Sequence, residues 1–242
     1  YLGSTGNPRE VSNENNFFNN FSTSQWDQLL ITNKIDENNL KNNSLNFHSI
    51  YSIDTLGRKL SIDADYFNFR TKQNQLFTTI NQNLDTTSST ANNKGMQNRE
   101  NYSLKIDMYH PYKSFILNYG GRISITSTDN NISYYDLKDN IFIYNPTYSN
   151  SFNYKENTKA LYASADKKIS DKWEVKLGIR MENTQTKGYS ITSNEIHRNS
   201  YNKFFPTGFI TFSPTDNHTF SLNYGKRINR PKYNWVNPFR IY

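Results

Sequence analysis

The chain has 242 residues, of which only 34% are hydrophobic but 15% are aromatic, and it carries a formal net charge of +7. A mean hydropathy of −0.87 is as low as that of a disordered protein, yet disordered chains are poor in aromatic residues because they have no core to build. The lack of cysteine excludes a disulfide scaffold, the lack of any run of about 18 apolar residues excludes a transmembrane helix, and the scattered basic residues argue against a nucleic-acid-binding patch.

The first region of the chain, residues 1–44, is rich in asparagine, apart from a group of aromatic and aliphatic residues between Phe17 and Ile31. We interpret this region mainly as a long outer loop, with a strand near residues 25–32. No signal peptide is visible, and the pattern is cut at both Tyr1 and Tyr242. We therefore expect the chain to be an internal segment of a longer protein.

Eight segments with alternating apolar and polar residues follow, and we expect each to form a β-strand. They are residues 45–53, 60–66, 102–109, 114–125, 156–169, 173–182, 201–212 and 220–224. The clearest is 173–182, which places Trp173, Val175, Leu177, Ile179 and Met181 on one face and Glu174, Lys176, Gly178, Arg180 and Glu182 on the other. A tilted strand of about 10 residues crosses a bilayer, whereas strands of globular proteins usually have about 5–6 residues.

The segments 156–169 and 201–212 are long enough to span but ambiguous in phase. In the first, either Leu161 with its alternate neighbours or Tyr162 could face lipid. Aromatic residues near the predicted strand ends suit the interfacial girdles of a membrane barrel, and ordinary packing roles are equally open for them. These residues are Tyr66, Tyr109, Tyr112, Trp173 and Phe204.

The connections between the predicted strands alternate in length. The short links, 54–58, 110–113, 170–172 and 213–217, each contain residues that favour turns, whereas the long links, 71–100, 127–155 and 183–200, are rich in Asn, Ser and Thr. Outer-membrane barrels have short periplasmic turns and long extracellular loops in this alternation, and a soluble Greek-key sandwich has no reason to keep it. The pattern predicts an all-β fold, an antiparallel up-and-down meander of about eight long strands that makes residues 45–242 part of a transmembrane β-barrel.

Catalytic motifs are lacking, since the sequence contains no nucleophile elbow, P-loop or dinucleotide fingerprint. Its four histidines, His48, His110, His197 and His218, lie far apart and are interpreted as surface or turn residues rather than metal ligands. Asp63 and Asp65 lie two residues apart on one strand face and are expected to pair with basic neighbours rather than to act as an acid–base pair. We expect no enzyme, no cofactor and no resident metal, and we interpret Gly120 and Gly121 as a bend or bulge.

Four basic residues, Lys105, Arg122, Lys176 and Arg180, occupy the polar phase of their predicted strands and would face the lumen of a barrel. Two interpretations of them stay open. They could form a basic wall that attracts anionic cargo, or they could pair with carboxylates of a plug inside the barrel, which would avoid the cost of unpaired buried charge.

Several short motifs resemble one family in their order and spacing. They are Asp54-Thr55-Leu56-Gly57-Arg58-Lys59-Leu60, Leu177-Gly178-Ile179-Arg180-Met181-Glu182-Asn183-Thr184, Phe204-Phe205-Pro206 and Phe220-Ser221-Leu222-Asn223-Tyr224. The most specific is the ending, which contains Arg227, Arg230 and Pro231 and then Asn237, Pro238 and Phe239. Together these stretches resemble the outer-membrane β-barrel proteins of Bacteroidetes in the TonB-dependent receptor group, from about Leu45 to the end of the chain.

The resemblance implies a location in the bacterial outer membrane and a role in the uptake of nutrients or siderophores. Members of the group carry a plug inside a barrel of about 22 strands and are driven by the TonB complex. The implied partners are therefore outer-membrane lipid, a plug domain, the TonB complex and an unidentified nutrient, and no plug is recognisable in this chain. The alternative is a soluble or surface-exposed β-sheet module that binds glycans or acts as an adhesin.

Overall fold

The computed structural model describes residues 2–19, 26–82 and 87–228, which form one antiparallel sheet of eleven strands. The strands are β1 (Leu2–Gly6), β2 (Arg9–Asn19), β3 (Trp26–Ser52), β4 (Lys59–Gln82), β5 (Thr87–Pro111), β6 (Ile116–Lys138), β7 (Ile141–Tyr144), β8 (Asn150–Ser170), β9 (Trp173–Ser190), β10 (Glu195–Thr215) and β11 (His218–Gly225). The order across the sheet is β1-β3-β4-β5-β6-β8-β9-β10-β11, with β2 also paired to β3 and β7 also paired to β6. Within the described ranges no helix is both long and apolar enough to cross a membrane.

Two of the interruptions between strands coincide with proline. β1 and β2 both pair with β3 and are separated by Asn7 and Pro8, and the Pro8 carbonyl still accepts a hydrogen bond from the Asn38 N–H at 3.0 Å. β7 and β8 both pair with β6 and are separated by a segment that contains Pro146. Proline cannot donate to the ladder, so it breaks the pairing at these points. The described sheet therefore has nine strand positions in an up-and-down meander.

All eight predicted strands are present, as β3, β4, β5, β6, β8, β9, β10 and β11, which confirms the all-β meander. The prediction of an outer loop over residues 1–44 is wrong for most of the described part of that region, whereas the strand expected near residues 25–32 is present as the start of β3. β1 and β2 lie there, and β3 begins at Trp26, well before Leu45.

The three long loops predicted at 71–100, 127–155 and 183–200 are also wrong as loops, because strands extend through most of each segment. The polar side chains of these segments bond to one another across the strands. Asn92 donates to Asn74 at 3.0 Å, and Asn93 donates to Gln75 at 3.1 Å. Cross-strand bonds of this kind stabilise an extended sheet, while the buried Oδ1 atoms of Asn92 and Asn93 have no hydrogen-bond partner among the described residues. The asymmetry between the two ends remains, because the strands run far beyond the predicted spanning segments at one end only.

Turn chemistry closes the hairpins. Asp139 and Asn140, with φ of 50° and 61°, form a two-residue loop between the paired Lys138 and Ile141, the geometry of a type I′ turn. At the opposite end, Asp54 accepts hydrogen bonds from the backbone N–H groups of Leu56 at 3.0 Å and Arg58 at 3.2 Å. The same carboxylate also pairs with the Arg58 guanidinium.

The sheet has one continuous apolar face, which we call the apolar band. Cross-strand pairs keep its residues in phase, as in Tyr66–Tyr102, Leu161–Met181 and Ile210–Leu222. Most side chains of the band are exposed, with 71% of Leu161 and 70% of Leu222 accessible. Among the described hydrophobic residues only Ala91, Phe152, Ala160 and Phe205 are buried. The band resolves the phase of β8, since Leu161 lies on it and Tyr162 lies on the other face.

Aromatic contacts lie at both ends of the apolar band. Tyr66 and Tyr102 have ring centroids 4.9 Å apart at the end away from the short turns, and Trp173 stacks on Phe212 at 4.4 Å at the short-turn end. Tyr109 is an exception to the predicted girdle, because its pairing with Lys59 and Asn118 places it on the opposite, polar face.

Candidate functional site: the polar face of the sheet

The polar face carries all four of the basic residues predicted from the sequence. Lys105 pairs in register with Asp63 and Arg122, while Arg180 pairs with Tyr162 and Lys176 pairs with Asp166. Paired residues project from the same side of a sheet, so these side chains share the face opposite to the apolar band. Three of the four form ion pairs with carboxylates on their own or neighbouring strands, so the face is not a wall of unpaired cations.

Lys105 lies between two carboxylates. Its Nζ pairs with the carboxylate of Asp107 and is 4.0 Å from Oδ2 of Asp63. Asp63 also bonds to Nδ1 of His48 across the β3–β4 pair. The sequence interpretation of Asp63 as the partner of a basic neighbour agrees with this geometry. Asp65, one rung away, accepts hydrogen bonds from Asn46 at 2.5 Å and Ser103 at 2.9 Å.

Tyr162 links strands that are not adjacent in the sheet. Its hydroxyl, on β8, donates to Oδ1 of Asp107 on β5 at 2.5 Å, so the side chain crosses β6. It passes over Gly120, where an added Cβ would clash with the Ile106 carbonyl oxygen and lie 3.1 Å from the Tyr162 ring. The register is continuous at Gly120 and Gly121, so a bulge is not present there. Gly120 instead leaves room for the aromatic ring.

Arg180 and Lys176 continue the network across β8 and β9. Nη2 of Arg180 is 2.8 Å from Oε2 of the buried Glu182, and its guanidinium lies 5.4 Å from the centroid of the Tyr162 ring. Nζ of Lys176 is 3.9 Å from Oδ2 of Asp166. For Arg122, no carboxylate of the described residues lies within ion-pair distance. Lys105, Lys176 and Arg180 therefore have carboxylate partners within the sheet and do not require carboxylates of a plug, as the second interpretation from the sequence assumed.

A second cluster lies where the polar face continues along the extended part of the strands. Asp36 on β3 is 7% exposed and accepts hydrogen bonds from Gln75 at 2.9 Å and Gln73 at 3.1 Å, while Nζ of Lys34 is 3.2 Å away. Burial alone would raise the pKa of Asp36, but the hydrogen bonds from Gln75 and Gln73 and the charge of Lys34 together lower it. Asp36 is therefore held as a carboxylate in this amide-rich region.

Aromatic residues are interleaved with polar ones on this same stretch of the polar face. Phe69 pairs with Asn42 and Arg99, and Thr128 pairs with Tyr154 on the strand beyond. Phe152, only 1% exposed, packs over Gly188, where a Cβ would lie 2.9 Å from its ring. Rings and amides together offer stacking and hydrogen-bonding groups, which is the chemistry that a polar organic ligand requires.

The described residues contain no cluster of three or more His, Cys, Asp or Glu side chains that could hold a metal ion. Sequence reasoning missed the Asp107–Tyr162 bond and the Asp36 cluster. Both depend on the register of paired strands, β6 with β8 for the first and β3 with β4 for the second, which local sequence does not reveal. Of the motif at the end of the chain, Arg227 is exposed, while Arg230, Pro231, Asn237, Pro238 and Phe239 lie outside the described residues.

Comparison with known proteins gives one family match. The model of the outer membrane protein β-barrel family matches residues 51–242. No curated protein matches the chain.

The fold is similar to parts of solved outer-membrane proteins. The siderophore receptor PiuA from Acinetobacter baumannii is 11% identical with a TM-score of 0.49, over 92% of this chain and 48% of that one. The copper transporter OprC is 8% identical with a TM-score of 0.49, over 96% and 42%. The ferripyoverdine receptor of Pseudomonas aeruginosa is 10% identical with a TM-score of 0.45, over 93% and 41%. The chain thus spans about half or less of the length of these structures.

Proposed function

We propose, because the chain belongs to the outer membrane protein β-barrel family and is located in the bacterial outer membrane, that it forms part of the barrel wall of a TonB-dependent receptor and of the extracellular entrance to that barrel. In this proposal the complete protein imports a nutrient or a siderophore. The apolar band contacts lipid, the polar face lines the lumen, the short turns lie in the periplasm and the extended strands project outside the cell.

The observation that carries this proposal is the division of the sheet into an exposed apolar face and a polar face rich in ion pairs. A porin lumen must leave space for water and solutes, and a receptor lumen of about 22 strands must also hold a plug. A wall whose cations are already matched by its own carboxylates, such as Lys105 with Asp107, presents a polar surface of low net charge. Such a surface suits contact with a folded plug, because it leaves few unpaired charges to desolvate.

The sheet edges support assembly into a larger barrel. Within the described residues, β11 at one edge and β1 with β2 at the other pair with a single neighbouring strand. Free edges expose unpaired N–H and C=O groups, which a bilayer does not tolerate. Further strands of the same protein would satisfy these groups.

The alternative of a soluble glycan-binding or adhesin module conflicts with the exposed apolar face. Leu161, Leu177 and Leu222 are 71%, 61% and 70% accessible and belong to a band that crosses eight strands. Soluble monomers rarely expose contiguous apolar patches of more than a few hundred Å².

Site-specific photo-crosslinking in the full-length protein tests the proposal. A photoreactive residue at Ser61 or Asn223, on the polar face, should crosslink to a plug segment of the same polypeptide. At Leu177, on the apolar band, it should crosslink to lipid. Crosslinks from Ser61 and Asn223 to lipid, or an absence of polypeptide crosslinks at both, would contradict a plugged barrel.

Transport needs its own measurement. The gene that encodes the full-length protein is deleted, and uptake of radiolabelled ferric citrate, a hydroxamate siderophore and a malto-oligosaccharide is compared with the parent strain. We expect uptake of one of these probes to be lost in the mutant and restored by complementation. In the parent strain a protonophore should abolish that uptake. Uptake that survives the protonophore would indicate passive diffusion and overturn the TonB-driven role.

A further inference from the structure

A patch of low charge lies on the polar face beyond the apolar band, and we call it the amide patch. It covers three successive rungs of β3, β4, β5 and β6, which begin with Asp36, Asn38 and Leu40 on β3. Asp36 is the one charged side chain at these positions, and Lys34 lies 3.2 Å from its carboxylate. Half of the positions carry an amide: Asn38, Gln73, Gln75, Asn93, Gln97 and Asn130.

The amide patch lies at the outer mouth of the barrel in the proposed orientation. Tyr66 is the last residue of the apolar band on β4, and Gln73 lies seven residues beyond it, about 23 Å along the strand. With a strand tilt of about 45°, this places the patch roughly 16 Å above the hydrocarbon, on the lumen side. A cargo that enters from outside would therefore meet the patch before it reaches a plug.

The hydrogen bonds of Asn93 and Gln75 run in one direction. Nδ2 of Asn93 donates to Oε1 of Gln75 at 3.1 Å, and Nε2 of Gln75 donates to Oδ2 of Asp36 at 2.9 Å. Oδ1 of Asn93, at the start of this chain of bonds, has no partner among the described residues, although the residue is only 7% exposed. A buried acceptor without a donor is unfavourable, so Asn93 is poised to accept a hydrogen bond from outside the chain.

A gap opens beside Asn93 at Gly95, the next residue on this face of β5. Apart from its chain neighbours, a Cβ added at Gly95 would meet only Gln73 within 4 Å, at 3.6 Å from the Cβ of that residue. Oγ1 of Thr71 is also buried and without a partner among the described residues. Thr71 pairs in register with Gln97, so the gap lies between the two unpartnered oxygens, which are about 13 Å apart along the strand.

An aromatic pair borders the patch on β6. Tyr134 pairs in register with Asn93, and its ring centroid lies 5.2 Å from that of Tyr148. Burial raises the pKa of Tyr134, and the charge of Asp136 and the neighbouring Tyr148 raise it further, so its hydroxyl stays protonated. Tyr134 therefore offers a neutral hydroxyl and an apolar ring side by side.

These features favour a neutral ligand with many hydroxyl groups. Unpartnered acceptors require donors, which sugar hydroxyls supply, and an aromatic ring can pack against the C–H face of a sugar. The patch has almost no net charge with which to attract an anionic iron chelate. Arg99, an exposed cation on the same face of β5, lies four residues from Gly95 and outside the patch.

We propose that the amide patch binds a neutral oligosaccharide that enters the gap over Gly95. One sugar hydroxyl donates to Oδ1 of Asn93, another to Oγ1 of Thr71, and the Tyr134 ring packs against a sugar face. Neighbouring side chains cover both oxygens, so rotamer changes of the kind that are common at interfaces accompany binding. The inference rests on the proposed function for the orientation of the patch, and it names the class of the cargo.

Calorimetric titration of the purified full-length protein tests the inference. The protein is kept in lauryldimethylamine oxide, a detergent without a sugar headgroup, and is titrated with maltohexaose, cellohexaose, xylohexaose, mannohexaose and chitohexaose in turn. We expect at least one of these to bind, and Gly95→Leu, which fills the gap, should lower its affinity by about tenfold or more. The matched control is Gly225→Leu, the same change on the polar face near the short turns, where the nearest atom to an added Cβ lies at 3.9 Å. It should leave the affinity unchanged.

Thr71→Val separates binding from folding. It replaces an unpartnered buried hydroxyl by a methyl group, so the protein should be as stable as the wild type or more stable in urea, while its affinity for the oligosaccharide should fall about fivefold. Unchanged affinity in Gly95→Leu or Thr71→Val, no binding of any of the five sugars, or binding of ferric citrate that Gly95→Leu abolishes would overturn the inference. Sugar binding that is intact in a protein whose uptake survives a protonophore would contradict the TonB-driven role alone.

Discussion

At the scale of single residues, the polar face is ordered by side chains that reach across strands. Tyr162 spans from β8 to β5, and Asp36 collects donors from Gln73 and Gln75 on the neighbouring strand. The Tyr162–Asp107 contact depends on Gly120, which lies between the two residues and has no side chain. A side chain added at Gly120 should therefore destabilise the folded protein.

Gly120→Ala should destabilise the folded protein by about 1–3 kcal/mol, the usual cost of forcing extra atoms into a filled site. The new Cβ would clash with the Ile106 carbonyl oxygen and would also displace Tyr162 from Asp107. The change in unfolding free energy is measured by urea unfolding of the full-length protein in lipid vesicles, with the folded fraction read from heat-modifiable gel migration. Gly95→Ala is the control, because its nearest neighbour would be Gln73 Cβ at 3.6 Å, and equal loss in both variants would contradict the steric explanation.

The stability of the extended β3–β4 hairpin should depend on pH through Asp36. The folded-state pKa of Asp36 is lowered below its ordinary value of 3.8. Its contribution to stability is therefore present above that ordinary value and is lost as the pH falls through the folded pKa. Hydrogen exchange of β3 and β4 at several pH values should show faster opening below about pH 3.8 in the wild type.

Asp36→Asn should raise the opening rate at neutral pH, since loss of the charged acceptor costs about 1–3 kcal/mol. It should also remove most of the acid dependence. Asp139→Asn makes the same chemical change in an exposed turn and serves as the control. An unaltered pH profile in Asp36→Asn would show that other carboxylates dominate the acid response.

At the scale of elements, period-two alternation was sufficient to predict the spanning part of each strand but not its length. The predicted strands end at Glu156 on β8, Glu182 on β9 and Tyr201 on β10, and beyond these residues the prediction assigned loops. The strands continue because asparagine, serine and threonine bond in pairs across them, as Asn101 does with Thr126 at 2.8 Å. Such pairing depends on register between segments far apart in the chain, and local composition does not reveal it.

Leu177→Arg tests the assignment of the apolar band to lipid. Leu177 lies in the middle of the band on β9, between Ile179 and Val175. A buried arginine near the bilayer midplane should destabilise the folded protein by about 2–4 kcal/mol. Unfolding in lipid vesicles measures this, and Asn223→Arg on the polar face at the same level should change stability by less than about 1 kcal/mol. Comparable losses of stability in both variants would contradict the assignment of the apolar band to lipid.

At the scale of the whole molecule, the orientation of the sheet follows from its two unequal ends. The sequence predicted short turns at one end and long loops at the other. The structure has the same asymmetry, but strands extend through most of the segments predicted as loops. What the sequence could not predict is which cations of the polar face remain unmatched. Lys105, Lys176 and Arg180 share one pattern with Arg122, and only the side-chain geometry separates them.

The orientation is open to a direct test, because the 242 residues contain no cysteine. Ser193→Cys lies in the turn between β9 and β10, and Asp171→Cys lies in the short turn between β8 and β9. On intact cells a membrane-impermeant maleimide should label the first and not the second, while both should react after lysis. Labelling of Asp171→Cys on intact cells would reverse the orientation.

The long paired strands beyond the apolar band have a consequence for binding kinetics. A cargo that arrives between flexible loops must order them, and that ordering lowers its affinity and slows its capture. Here the strands beyond the apolar band are already hydrogen-bonded to one another, as β1 is to β3 over Leu2–Gly6 and β10 is to β9 from the Glu195–Ser190 pair onward. We therefore expect first contact with a cargo to be close to rigid docking, with a single association phase and little change in hydrogen exchange of these strands.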